Sequence, residues 1–124
     1  MTDRELLELA AKAAGIALSH WNDGLEPYSS GEGYVLLDNR LWNPLLDDGN
    51  ALRLAVKLRI DIDHGSPLDN SRYVCASCCG IEMVRDAVRA VEEFEDDVGV
   101  QRAYATRRAI VRAAAEVAKK EMLG

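Results

Sequence analysis

A chain of 124 residues, 48% of them apolar and 29% charged, is large enough for one hydrophobic core and too apolar to stay disordered. Its formal charge of −6 conceals a division: residues 100–124 hold six basic and two acidic side chains, a net of +4, which leaves −10 for residues 1–99. An acidic body argues against general nucleic-acid binding, which rests on cations that neutralise phosphates, and no apolar run approaches the roughly 18 residues of a membrane-spanning helix.

The charged start Met1-Thr2-Asp3-Arg4-Glu5 is unlike a secretory signal, so a cytoplasmic location is expected. Cys75, Cys78 and Cys79 are an odd number within five residues, unlike the dispersed even set of a disulfide framework, and reduced thiols are expected. The pattern as a whole predicts a single α+β domain over residues 1–124. A small, mainly antiparallel sheet of about four to five strands would pack with an N-terminal helix, a middle helix and a long C-terminal helix.

In chain order, Thr2 and Glu5 form a capping box, Leu6, Leu9, Ala10 and Ala13 repeat at helical spacing, and Gly15 supplies a stop. A helix over 3–14 follows. Ile16 to Trp21 and Tyr34 to Leu37 predict a strand pair around a polar, glycine-rich loop. In Leu41-Trp42-Asn43-Pro44-Leu45, Pro44 biases Asn43 to an extended conformation and stiffens the loop. Asp47 and Asp48 are candidate caps for a second helix over about 48–58, with Leu52, Ala55 and Val56 as its buried stripe. Arg59-Ile60-Asp61-Ile62-Asp63 then alternates with period two, the mark of a half-buried strand, and Arg72 to Cys79 suits another. Residues 81–97 fit either a helix or a hairpin, and the hairpin is favoured. The acidic run Glu92 to Asp97 reads as a solvated strand end and loop. The last helix, from about Val100 to Met122, sets Ala103, Ile110, Ala114, Val117 and Ala118 along one stripe. At 100° per residue, Arg108, Arg112 and Lys119 fall within about 40° of one another on the opposite side, a basic row expected to face outward.

Little of this assembles into chemistry. The cysteine cluster has no second ligand pair for a structural zinc, and alternating Cys75, Ser77 and Cys79 are better explained as small residues at a crowded packing position. The only histidines, His20 and His64, cannot be placed beside a thiol. Asp61 and Asp63 alternate with isoleucines, Asp47 and Asp48 sit at a helix start, and Gly31-Glu32-Gly33 lacks the context of a phosphate loop. No catalytic residue, metal or cofactor is expected, and the chain is read as a non-enzyme. Two features survive. Trp42 and Asn43 put an aromatic and an amide on the stiffened loop, either as a core anchor or as a platform for a base. Arg108 and Arg112 stand at i and i+4, where a phosphate would relieve their repulsion, unless the row is a solvated face or pairs with the acids of 92–97.

Three stretches carry a resemblance: Met1 to Gly15, Trp42-Asn43-Pro44-Leu45-Leu46-Asp47-Asp48-Gly49 continuing through Leu58, and Ala105-Thr106-Arg107-Arg108-Ala109-Ile110-Val111-Arg112-Ala113-Ala114. They are similar to small phage accessory proteins of the phage ABA-sandwich domain family. That resemblance implies a phage counter-defence protein of the anti-Thoeris type, which sequesters cyclic ADP-ribose-type signals, or cyclic oligonucleotides, without degrading them. It also implies a homo-oligomer, dimer or higher, with Arg108 and Arg112 contacting ligand phosphates; beside them, Trp42 and Asn43 of the stiffened loop are expected to line or brace the site. The alternative is a protein-binding inhibitor of a host defence complex, anti-CRISPR-like, whose acidic surface mimics nucleic acid.

Overall fold

Among the described residues, three helices enclose two runs of three short strands along the chain: α1 (Asp3–Ala14), β1 (Leu18–Asn22), β2 (Gly33–Leu36), β3 (Leu41–Trp42), α2 (Asp48–Leu58), β4 (Asp61–Asp63), β5 (Tyr73–Cys78), β6 (Val88–Glu93) and α3 (Gly99–Leu123). The structure, a computed structural model, describes residues 1–24, 31–65, 72–78, 88–95 and 99–123. The expected α+β class and all three helices are present. The expected single sheet of four to five strands is instead two antiparallel three-stranded sheets, β1-β2-β3 and β4-β5-β6. The break has a local cause. Pro44 has no N–H to continue a ladder beyond β3, and the chain enters α2 before it can extend again.

The first helix forms as its signals require. Thr2 accepts from the Glu5 N–H at 3.2 Å, the Glu5 carboxylate receives the Thr2 N–H at 3.3 Å, and Gly15 closes the other end at φ 70°. Its buried face is Leu6, Leu7, Ala10, Ala11 and Ala14, so the stripe centres on Leu7, with Leu9 and Ala13 at its margin.

The middle helix begins at Asp47, whose carboxylate accepts the Asn50 N–H at 2.7 Å. Of the expected stripe only Ala55 is buried: it lies inward with Ala51 and Leu54, whereas Leu52 and Val56 are 61% and 69% exposed. The helix is oriented by Arg107 of α3, which donates to the Leu45 carbonyl at 2.9 Å and pairs with Asp48 at 2.7 Å. With Ala51 and Ala55 turned inward, Leu52 and Val56 lie about 100° further round the helix. Arg59, left-handed at φ 56°, then redirects the chain into β4.

The long helix packs on α1, on α2, and on β5 and β6. Ile110, Ala114 and Ala118 are buried as expected, but so are Ala105, Ala109, Val111, Ala113 and Ala115, because α3 is covered on more than one side. Small residues permit that approach from several directions. The strand parity on β5 also differs from expectation. Val74, Ala76 and Cys78 form its most deeply buried set, while Cys75 and Ser77 lie on the other face, beside Asp63 and Asp61. Cys79 and the first half of the expected 81–97 hairpin lie outside the described residues, whereas Val88–Glu93 is a strand paired with β5.

The core is one cluster joining Leu7, Leu54, Val74 and Val111 to Tyr34 and Trp42. Each large aliphatic side chain so removed from water stabilises the fold by roughly 1.5–3 kcal/mol before ordering costs.

Candidate functional site

The basic row of α3 is neither outward nor unpaired. On β6, period two puts Glu92 on the same face as Val88 and Ala90, the face against α3. Its carboxylate is 18% exposed and takes both arginines: Arg112 donates to one oxygen and to the Val91 carbonyl, and Arg108 lies 3.7 Å from the other. Arg108 also donates to Asp3 at the start of α1 at 3.1 Å, and this bond is the main reason its guanidinium holds its proton more tightly than usual. The two arginine side chains are only 26% and 40% exposed. Lys119 pairs with Glu116 at 3.0 Å. Glu92 of the acidic run therefore supplies the partner that Arg108 and Arg112 do not find within their own helix, and it does not contribute to a solvated acidic surface.

Trp42 and Asn43 lie elsewhere. Trp42 is 4% exposed and belongs to the core. Asn43, 5% exposed, donates to the Glu32 carbonyl at 2.9 Å and accepts from the Leu45 N–H at 3.0 Å, so its amide braces the backbone. Gly33 is what lets this strand close: a Cβ there would meet the Trp42 carbonyl at 2.9 Å and the Asn43 Cβ at 3.0 Å. Both residues border a surface groove whose cations are Arg40, Arg53 and Lys57, not Arg108 or Arg112.

That groove has two adjoining lobes. The first, about 390 Å³, runs between the end of α1, the β2–β3 turn and α2, with Ile16, Leu36, Leu41 and Leu54 as its apolar floor. The second, about 480 Å³, shares Arg40, Leu41, Asn50 and Arg53 with the first and continues past Glu32, Asn43 and Asp47. Local structure accounts for the wall. Asn50, Arg53, Leu54 and Lys57 stand at i, i+3, i+4 and i+7, one face of α2. Arg40 arrives by the β2–β3 turn, closed by the Leu36 N–H donating to the Arg40 carbonyl at 2.9 Å, with Asn39 at φ 67°.

Electrostatically the three cations differ. Arg40 pairs with Asp38 at 2.7 Å, and the Arg40 backbone N–H, followed by its side chain, holds the Asp38 carboxyl below its ordinary range. Arg53 donates only to the Asn50 carboxamide oxygen, at 2.9 Å. Among the described residues neither Arg53 nor Lys57 has an acidic partner. Sequence reasoning passed over this set, although one signal for it was present: Arg53 and Lys57 repeat the i, i+4 spacing of Arg108 and Arg112 and have no acid at i±3 or i±4 within α2.

A groove with convergent cations and an apolar floor can bind a small anion that also carries an apolar face. Its polar groups, among the described residues, are suited to holding a ligand. Comparison of the chain with known protein families, curated proteins and solved structures found no match.

Proposed function

We propose that this chain is a non-enzymatic binding protein that captures a small anionic ligand of the cyclic nucleotide or cyclic ADP-ribose type and holds it unchanged. The carrying observation is the pair Arg53 and Lys57, cations without an acidic partner among the described residues, on one wall of a concave, apolar-floored groove in an acidic chain. Guanidinium and ammonium groups left free in this way are available to phosphate oxygens at no cost in broken ion pairs. The resemblance to phage signal-sequestering proteins supports the same class of ligand and a counter-defence role in a host cytoplasm. Leu46, which is exposed, lines the groove, which supports closure of the site by a second copy of the chain.

The reading moves the site from the α3 row, whose arginines are already held by Glu92 and Asp3, to α2 and the β2–β3 turn. The alternative of an acidic, protein-binding inhibitor draws less support, because Glu92 turns inward, leaving Glu93 and Glu95 as the exposed acids of that run among the described residues.

Titration calorimetry with cyclic ADP-ribose isomers and cyclic di- and trinucleotides tests the proposal. At least one is expected to bind at micromolar concentration and to be recovered intact after the protein is denatured. Arg53→Ala is expected to weaken that binding about tenfold or more, the loss of one charge-assisted contact, while Arg112→Ala leaves it little changed. Absence of binding across the panel overturns the proposal, and recovery of a cleaved ligand replaces it with an enzymatic reading.

A further inference from the structure

The groove's second lobe differs from the first in a way that bears on what it recognises. Beside the shared Arg40 and Arg53 it is lined by the acids Glu32 and Asp47 and by Asn50, which it also shares with the first. Asp47 already accepts the Asn50 N–H through one oxygen, and its other oxygen has no hydrogen-bond donor among the described residues. The Glu32 side chain likewise has no partner there, its backbone carbonyl being the group that Asn43 uses. Asn50 turns its carboxamide oxygen to Arg53 at 2.9 Å, which leaves its amino group as a donor.

Arg40 is already paired with Asp38, so the lobe sets Arg53 beside the acids Glu32 and Asp47, a mixture that suits neither a free anion nor a divalent cation alone. Acceptors and donors at close quarters suit a group that offers both, and vicinal hydroxyls do so: each donates to a carboxylate oxygen and accepts from an amide or guanidinium. Carboxylates are how many nucleotide sites hold a ribose 2′-hydroxyl.

We propose, resting on the binding reading above, that the ligand is a ribonucleotide whose free ribose hydroxyls are read by Glu32 and Asp47. Its phosphate lies on Arg53 and Lys57, the groove cations without an acidic partner among the described residues, and its base lies on the apolar floor at Leu36 and Leu41. The wall common to both lobes is where such a ligand changes from apolar base to charged phosphate. A sugar phosphate shares the hydroxyl and phosphate chemistry but has nothing for the apolar floor, which makes ribose 5-phosphate the control.

Calorimetry with adenosine 5′-monophosphate, its 2′-deoxy counterpart, ribose 5-phosphate and inorganic phosphate decides the matter. The ribonucleotide is expected to bind about tenfold or more tightly than the deoxynucleotide, and more tightly than ribose 5-phosphate. Glu32→Gln and Asp47→Asn should sharply reduce the ribo-over-deoxy preference without weakening inorganic phosphate binding, which the loss of two nearby negative charges favours. Asparagine caps a helix as well as aspartate does, so Asp47→Asn should leave α2 intact, and circular dichroism checks that it does. Equal affinity for the ribo and deoxy forms overturns the ribose assignment. So does failure of both mononucleotides while the cyclic ligands still bind. Failure of every anion in both panels overturns the binding reading itself.

Discussion

Arg108 and Arg112 on α3 and Arg53 and Lys57 on α2 share one spacing, i and i+4, and meet opposite surroundings. The α3 pair lies under β6, where Glu92 reaches both guanidiniums and Asp3 adds a further carboxylate from α1. The α2 pair lines an open groove and forms no ion pair among the described residues. A cation row within a helix is thus a question that the helix cannot answer. What decides between a structural clamp and a ligand site is whether another element delivers a carboxylate.

The sharpest way to break the contrast is to remove the carboxylate. Glu92→Ala leaves two half-buried guanidiniums without their shared acceptor and is expected to cost about 2 kcal/mol of folding stability in urea denaturation at neutral pH. A cost close to zero would mean that Arg108 and Arg112 return to water freely and belong with the groove cations after all.

A smaller effect is expected where α1 meets the first sheet. Tyr34 donates to Glu8, beside Arg4, whose guanidinium lies 4.7 Å from the centre of the Trp21 ring. Burial, and then Glu8, raise the Tyr34 phenol above its ordinary value of 10.0. The fold therefore favours the protonated phenol: its contribution is complete below pH 10 and is lost as pH climbs through the raised value. Tyr34→Phe should cost about 1 kcal/mol at neutral pH and should flatten the alkaline limb of the stability profile. An unchanged alkaline limb would assign that loss to other groups.

The smallest effect is expected in the groove. Arg53→Ala and Lys57→Ala should each change stability by no more than about 0.5 kcal/mol, since neither has an ion pair to lose and their mutual repulsion is relieved. The same denaturation experiment measures it. A large loss would show that these side chains hold the fold together and would remove the reason for reading them as ligand contacts.

Much of the fold was legible in local chemistry. The capping box at Thr2, the stop at Gly15 and the Asp47 cap are short-range signals whose helices stand where they put them. The period-two run over 59–63, in contrast, yields a strand only over Asp61–Asp63, because Arg59 is taken up as the left-handed cap of α2. The two-residue strand β3 was not legible, since Leu41-Trp42 gains its extended geometry by pairing with Val35 and Tyr34 and by the closeness that Gly33 allows. The exposure of Leu52 and Val56 was hidden for a related reason: a helix with apolar residues over a wide arc does not say which part faces inward, and Arg107, far along the chain, sets the rotation.

The candidate site divides along the same line. By itself the sequence determined that cations stand at i, i+4 on two helices, that Trp42 and Asn43 precede a stiffening proline, and that the chain around them is acidic, because these follow from spacing and composition. Only the tertiary structure decided which cations are neutralised. Glu92 and Arg112 are 20 residues apart, and their pairing depends on β6 docking across α3. Arg40 and Arg53 meet only because the β2–β3 turn folds against α2. Ion pairs are chosen by distance in space, and in this chain the deciding distances span separate elements.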